Sequence, residues 1–566
     1  MSRSIEERRS DLRTRFAIWT PHTLDAWLDD CAAAYGDRPL VLTDAVTLSY
    51  ADVARESRRL ADGLAALGVG PGDRVGMLMA NYPEFVPLKF AIARTGAVAI
   101  PFNYLYRTDE LGYVLAQSEC TVLVTMTGFA GLDYVSMLDE IDASGTAPGL
   151  QHVVFLDTGA PGRPGALDLA GLAALGDVNR GAAAGGHLPS DVGDMLYTSG
   201  STGSPKGVLV THDAVLRTAY ASALTRAYDD GRRVLFSLPC YHMFGYVEGL
   251  LSVMYVGGAV IPQTTFSAEG YLVGIERHRA HDILCVPTMA VALVESPARA
   301  TSDLSSLEAI LCGSAPAPVW LWDQVEKDLG VTEIVTGYGM TECGGAMTLT
   351  FPEDPLVLTS TTVGRPKLAG SAGVAGTDQL VVYGTADPET GEELAEGEIG
   401  ELFSTGPTTM LGFYGKPAET ALALRGDRLF SGDLGRVRPD GYLELTGRSK
   451  ELYKSGGELV MPKEIEEVLA GHPGVSQVFA IGLVDERWGE IGCAVIVRVP
   501  GEDLQEDEVI AFCKERLARF KVPRRVLFLE PHELPTTPTG KVQKFKLVEL
   551  AGTVPEDRSL TGSRSR

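Results

Sequence analysis

Between Arg74 and Cys312, short apolar runs alternate with segments that suit helices, and few folds accommodate that alternation. The turn Gly70-Pro71-Gly72-Asp73 leads into a strand over 74–79, a helix over 82–95 with proline near its start, and a strand over 97–100. A helix over 109–117 and strands over 121–125 and 153–156 extend this βαβ unit. Further strands are expected at 234–238, 259–261, 283–286 and 309–312, with helices between them. The pattern predicts an α/β chain with a large N-terminal domain of doubly wound, mostly parallel sheets. Ligands then sit at the carboxyl ends of strands.

At 566 residues the chain exceeds one ordinary core, so at least two domains are expected. The first covers 1–447 and ends in a β-rich subdomain from about 376, where short strands and glycine turns take over. A small mobile α+β domain over 448–551 follows, with a helix opened by Pro462, a strand over 478–481 and an amphipathic helix over 507–519. The polar tail from 552 lacks periodicity and is expected to be disordered. A formal charge of −25 excludes a nucleic-acid or anionic-membrane partner held by bulk electrostatics. The eight cysteines contain no Cys-x-x-Cys pair, which suits buried thiols in a reducing compartment better than zinc. The charged N-terminus is not a secretory signal, and the apolar run at 249–261 is shorter than the ~20 residues of a membrane span. A cytoplasmic protein without stable membrane insertion is expected.

Tyr197-Thr198-Ser199-Gly200-Ser201-Thr202-Gly203-Ser204-Pro205-Lys206-Gly207-Val208 sets five serine or threonine hydroxyls, three glycines and a lysine between two apolar strands. Such a turn can converge N–H groups and hydroxyls on an anion. It is not a Walker A loop, because no Gly-Lys-Ser/Thr opens a helix. A flexible linker is the plain alternative, but a linker needs neither the lysine after proline nor strands gripping both ends.

Four further stretches carry chemistry. Gly337-Tyr338-Gly339-Met340-Thr341-Glu342 puts an aromatic face, a hydroxyl and a carboxylate at a strand end. Ser431-Gly432-Asp433-Leu434-Gly435 places a carboxylate between glycines, apt for a ribose diol. Gly447-Arg448 supplies a fixed cation, and Pro538-Thr539-Gly540-Lys541 a lysine on a turn. Taken singly, Glu342 could be a helix-start carboxylate, Tyr338 a core aromatic, and Asp433 with Arg448 a surface ion pair.

Together and in this order, over roughly 24–547, the five stretches resemble the adenylate-forming superfamily of acyl-CoA synthetases, peptide-synthetase adenylation domains and luciferases. The resemblance implies that Thr198, Ser199, Gly200, Ser201, Thr202, Gly203 and Lys206 cover the ATP phosphates. It implies that Tyr338 and the turn Gly313-Ser314-Ala315 flank adenine, and that Thr341 touches the α-phosphate. By the same resemblance Glu342 holds Mg²⁺, Asp433 the ribose hydroxyls, and Arg448 contacts the nucleotide. Lys541 then bridges carboxylate and α-phosphate. The chemistry needs such groups, because a carboxylate attacking an ATP phosphate brings anion against anion.

Lys454-Ser455-Gly456-Gly457-Glu458 resembles the strand that lines the pantetheine tunnel of acyl-CoA synthetases, although a hairpin turn would also use Gly-Gly. Cys240-Tyr241-His242-Met243-Phe244-Gly245 matches the segment bordering the acyl pocket, and it lacks the aspartate with which amino-acid-activating relatives pair an α-amino group. His242 is read as a pocket-gating ring or a structural histidine. A helix from about Gly245 would put Phe244, Glu248 and Leu251 on one pocket face beside Gly313 and Gly337. Glu248 would then need a polar or cationic partner from the substrate, a neighbour or water, unless it faces solvent. Lys450 stands where the superfamily places its hinge, and Lys541 and Gly457 would serve opposite faces of a rotating second domain. The expected activity is formation of an acyl-CoA from a small-molecule carboxylic acid, ATP and coenzyme A through an acyl-adenylate. Loading of a carrier protein and a luciferase-like oxygenase are the alternatives, and a homodimer is an open expectation.

Overall fold

The computed structural model describes residues 3–553 except 157–161, 164, 165, 184, 199–204, 315, 316, 318, 389, 449, 450, 456, 457, 486, 487 and 538–541. By contact the chain divides into two units. The first comprises 1–383, 403–431 and 440–443, and the second 384–402, 432–439 and 444–566. The division therefore runs through the β-rich segment, some of whose strands go with each unit.

Two large sheets form the first unit. One runs in the order Gly412–Phe413, Lys206–Thr211, Val192–Thr198, Val98–Pro101, Arg74–Leu78, Val122–Thr125, His152–Phe155, Leu167–Asp168. The other runs Glu333–Val335, Ala309–Cys312, Asp282–Cys285, Arg233–Phe236, Ala259–Pro262, Pro39–Leu42, Thr47–Ser49. Neighbours are parallel through the middle of both, and antiparallel pairing is confined to the ends. Strands buried on both faces read as unbroken apolar runs, which is why Val122–Thr125 and Ala309–Cys312 were legible. The helix expected over 82–95 spans Phe85–Arg94, and Pro83 lies in the turn before it.

The polar N-terminal helix Ile5–Arg15 is docked against this unit. Arg8 and Arg9 are buried; Arg8 pairs with Glu333, while Arg9 pairs with Glu353 and donates to the Thr225 carbonyl at 2.7 Å. Nothing in its own charge pattern marks those two arginines as buried. Carboxylates and carbonyls far along the chain, invisible locally, draw it in.

In the second unit, Gly489–Arg498 lies between Tyr453–Ser455 and Val475–Asp485 and also pairs in parallel with Arg525–Phe528. Alternation along it sends Cys493, Val495 and Val497 to one apolar cluster and Ala494 and Ile496 to the other. Helix Pro462–Ala470 covers one face and Lys544–Thr553 the other. The expected strand over 478–481 extends to Val475–Asp485, and the helix expected over 507–519 is Glu506–Lys514. All eight cysteines are free and buried. Among the described residues, no helix is long and apolar enough to cross a membrane.

Candidate active site

Thr198 and Lys206 face each other at the last rung of an antiparallel pair, so the two ends of the hydroxyl-rich loop are held side by side. The Lys206 ammonium lies 5.0 Å above the centre of the Phe413 ring, a cation–π contact that keeps the flexible side chain at the loop mouth. Four residues before Thr198, Asp194 is fully buried, 2.8 Å from Lys89 Nζ, and accepts the Tyr246 hydroxyl proton at 3.1 Å. Ser199, Gly200, Ser201, Thr202 and Gly203 lie outside the described residues.

Gly313 follows the strand Ala309–Cys312, and its N–H donates to the Cys285 carbonyl at 3.2 Å. A Cβ at Gly313 would stand 3.7 Å from both the Gly337 carbonyl and the Phe244 ring, so these three residues line one corner. Ser314 sits in the left-handed region at φ +72°, a conformation that costs a side-chain-bearing residue of order 1–3 kcal/mol and recurs at ligand sites. Ala315 lies outside the described residues. The hairpin Gly337–Met340 with Gly345–Leu349 carries the half-buried Tyr338, whose ring is 6.4 Å from that of Tyr383. At its bend the short 3₁₀ turn Thr341–Cys343 buries Thr341 and leaves Glu342 half exposed. The Glu342 carbonyl accepts the Met410 N–H at 2.8 Å, which fixes the turn.

The expected α-helix from Gly245 is a π-helix, Phe244–Leu251. Apolar spacing does not encode an i→i+5 pattern, and tertiary contacts decide it here. Gly245 is pressed so close to the Leu238 carbonyl that a Cβ would stand 2.4 Å from it, and a Cβ on Gly249 would stand 2.7 Å from the Phe236 ring. His242 Nδ1 accepts the Phe244 N–H at 3.2 Å, so in the neutral ring Nε2 carries the proton. Glu248 is not solvent-facing. It is 1% exposed and bonded to Lys367 and Ser222, which is the neighbouring-side-chain outcome.

In the second unit, Arg448 Nε lies 2.8 Å from Asp433 Oδ1, with Asp433 nearly buried and Arg448 partly exposed. The Gly432 N–H donates to Glu401 Oε1 at 3.0 Å and anchors the strand beside Asp433. Ser455 is buried at the end of Tyr453–Ser455, opposite Glu458–Val460 in a hairpin. Gly456, Gly457, Lys450 and Lys541 lie outside the described residues. Lys367, Ser222, Lys89 and Asp194 escaped sequence reading, because their partners stand 119, 145 and other large separations away along the chain.

Residues 28–414 match the AMP-binding enzyme family, and residues 464–541 match the AMP-binding enzyme C-terminal domain. The chain belongs to the AMP-binding enzyme family. This AMP-binding enzyme is an acid–thiol ligase that forms an acyl-CoA from a carboxylic acid, ATP and coenzyme A through an acyl-adenylate. It is 35% identical, over 93% of its length and 99% of the relative's, to the Mycobacterium tuberculosis 3-[(3aS,4S,7aS)-7a-methyl-1,5-dioxo-octahydro-1H-inden-4-yl]propanoyl:CoA ligase. Feruloyl-CoA synthase of an Amycolatopsis species is 34% identical over 88% of this enzyme and 92% of the relative. Among solved structures, the anthranilate CoA ligase AuaEII in complex with anthranoyl-AMP superposes with a TM-score of 0.80 at 25% identity, covering 96% of this enzyme and 100% of that chain.

Proposed function

We propose that this ligase activates a predominantly apolar carboxylic acid, aliphatic or aryl. The observation that carries the reading is the corner made by Gly313, Gly337 and Phe244, whose only nearby carboxylate on the same helix, Glu248, is spent on Lys367. The names of the relatives agree, since a ring-bearing propanoyl, a feruloyl and a fatty acyl group are all predominantly apolar.

In this reading Thr198, Lys206 and residues 199–203 hold the ATP phosphates, Tyr338 with Gly313, Ser314 and Ala315 the adenine, and Asp433 the ribose hydroxyls, while Arg448 contacts the nucleotide. Thr341 donates to the α-phosphate. Glu342 fits a Mg²⁺ ligand, because its half-exposed carboxylate sits on a fixed turn beside the Thr341 hydroxyl, and the cation supplies charge neutralisation when bound. Lys541 neutralises the carboxylate as it approaches the α-phosphate, His242 gates the acyl corner, and Ser455, Gly456 and Gly457 admit the pantetheine arm. The 1–447 and 448–551 parts act as alternating domains hinged at Lys450. The free, buried thiols support a cytoplasmic location. A homodimer is part of the proposal and is tested by light scattering.

Acid-dependent ATP–pyrophosphate exchange, scored over a panel of aliphatic, aryl and amino acids, tests the substrate class. Exchange confined to apolar acids, followed by AMP release on adding free coenzyme A, is the expected result. Exchange only with amino acids, or thioester formation only on a carrier protein, would refute it.

A further inference from the structure

The π-helix at the acyl corner is tied down from behind by a buried charge pair. Lys367 Nζ donates to Glu248 Oε1 at 2.6 Å, Ser222 Oγ donates to Glu248 Oε2 at 2.6 Å, and Lys367 also reaches Ser222. Lys367 and Ser222 are fully buried, and Glu248 is 1% exposed. Three elements meet there. Glu248 belongs to the π-helix, Ser222 to the helix His212–Thr225, and Lys367 follows Arg365–Pro366, its N–H bonded to the Met347 carbonyl at 3.0 Å.

The pair also touches the back of the hairpin that carries Tyr338. Gly345 is the register partner of Met340, and a Cβ on Gly345 would stand 3.7 Å from Glu248 Oε1 and from Val247. Burial drives the Lys367 pKa below the ordinary lysine value, opposed by Glu248, and Arg226 adds a second cation nearby that is itself paired with Asp282. Apolar side chains of similar volume fill such a position at no loss of stability, so a buried pair earns no explanation from stability alone. Its direction does offer one. Phe244 and Glu248 are four residues apart on a helix whose turns close from i to i+5, so anchoring Glu248 fixes where Phe244 stands against Gly313 and Gly337.

We propose that Glu248 and Lys367 are positioning residues that hold the Phe244–Leu251 π-helix in register against the Gly345–Leu349 strand, and so set the shape of acid accepted beside Phe244. The inference rests on the reading of Gly313, Gly337 and Phe244 as the acyl corner. Without the pair the segment relaxes toward the i→i+4 pattern, which turns Phe244 relative to its neighbours.

The test compares Phe244→Ala, Glu248→Gln and the double variant Glu248→Leu with Lys367→Met, scoring KM and kcat for a homologous series of straight-chain and aryl acids. Lys367→Met alone strands a buried carboxylate and is avoided for that reason; the double variant leaves no unpaired charge. Phe244→Ala is expected to reorder the acids. The double variant should reorder them in the same direction, with KM for the preferred acid raised about tenfold and KM for ATP within about twofold. Combined with Phe244→Ala it should add little, since both act at one wall. Glu248→Gln keeps the side-chain shape but cannot accept from both Lys367 and Ser222 and leaves the Lys367 ammonium without its counter-charge, so it should reorder the acids as the double variant does. If Phe244→Ala reorders the acids and the double variant does not, the positioning role is overturned and the corner stands. If Phe244→Ala leaves the order intact, the corner reading fails and takes the inference with it. A double variant that melts lower with the wild-type order of acids marks the pair as structural only, which also overturns the proposal.

Discussion

In the proposed mechanism Lys541 and Glu342 bear the charge of the first half-reaction, and their loss should be separable from loss of the second. Lys541→Ala is expected to lower acid-dependent ATP–pyrophosphate exchange by about 10²- to 10³-fold, the usual effect of removing one preorganised charge partner. Thioester formation from supplied acyl-AMP should survive in the same variant, and coupled assays of the two half-reactions check both. Equal loss in both would remove Lys541 from the role. Ser314 shows what single residues hide: its hydroxyl side chain gives no hint of a left-handed φ of +72°, which it adopts just past the end of the strand Ala309–Cys312. Thr198 and Lys206 were legible as a pair because both flank a glycine-rich run between strands. Lys367 was not, because nothing in its own neighbourhood marks a lysine as buried.

Among the elements, the hairpin that carries Tyr338 tolerates no side chain at its centre. A Cβ on Gly339 would stand 2.1 Å from the Gly345 carbonyl and 2.4 Å from Ala346 Cα, both backbone atoms that cannot swing aside. Gly339→Ala is therefore expected to cost at least about 1–3 kcal/mol of stability and to raise KM for ATP more than KM for the acid. Chemical denaturation with parallel kinetics measures both, and an unchanged midpoint would show that the hairpin opens freely. The strands of the two large sheets were readable because burial on both faces forces uninterrupted Val, Ile and Leu. The π-helix was not, since the same residues at the same spacing fit an α-helix until Gly245 and Gly249 are pressed against Leu238 and Phe236.

For the whole molecule, the buried His212 and the half-buried His281 weaken the fold in acid. Burial first, and then the Lys89 charge, lowers the His212 pKa to about 3, while burial and Arg232 lower that of His281 to about 4, against an ordinary 6.5. A depressed folded-state pKa means that the stabilising neutral form is fully present above 6.5 and is lost as pH falls through the folded values. The melting temperature should thus be flat for these groups above pH 6.5 and fall below it, more gently in His212→Gln; a variant with the wild-type slope would remove His212 from the account. Domain alternation belongs to this scale as well. If the proposed hinge and thiol path are right, Lys450→Pro, by restricting φ there, should form adenylate and fail at transfer, and a bulky residue at Gly457 should do the same by blocking the thiol arm. Equal loss of both half-reactions in these folded variants would argue against alternation.

The sequence by itself determined the class of fold and the chemistry. Alternating apolar runs admit little besides doubly wound sheet, and five motifs in one order carry the kinds of hydroxyl, carboxylate and cation that adenylation needs. These are local facts of spacing and residue type. Tertiary structure alone decided that Glu248 turns inward to Lys367, that Arg8 and Arg9 are buried, and that Phe244–Leu251 is a π-helix. The charge pairs depend on partners more than a hundred residues away and the π-helix on the close approach of Leu238 and Phe236 to its glycines, and the cost of burying a charge or widening a helix is met only when those contacts form.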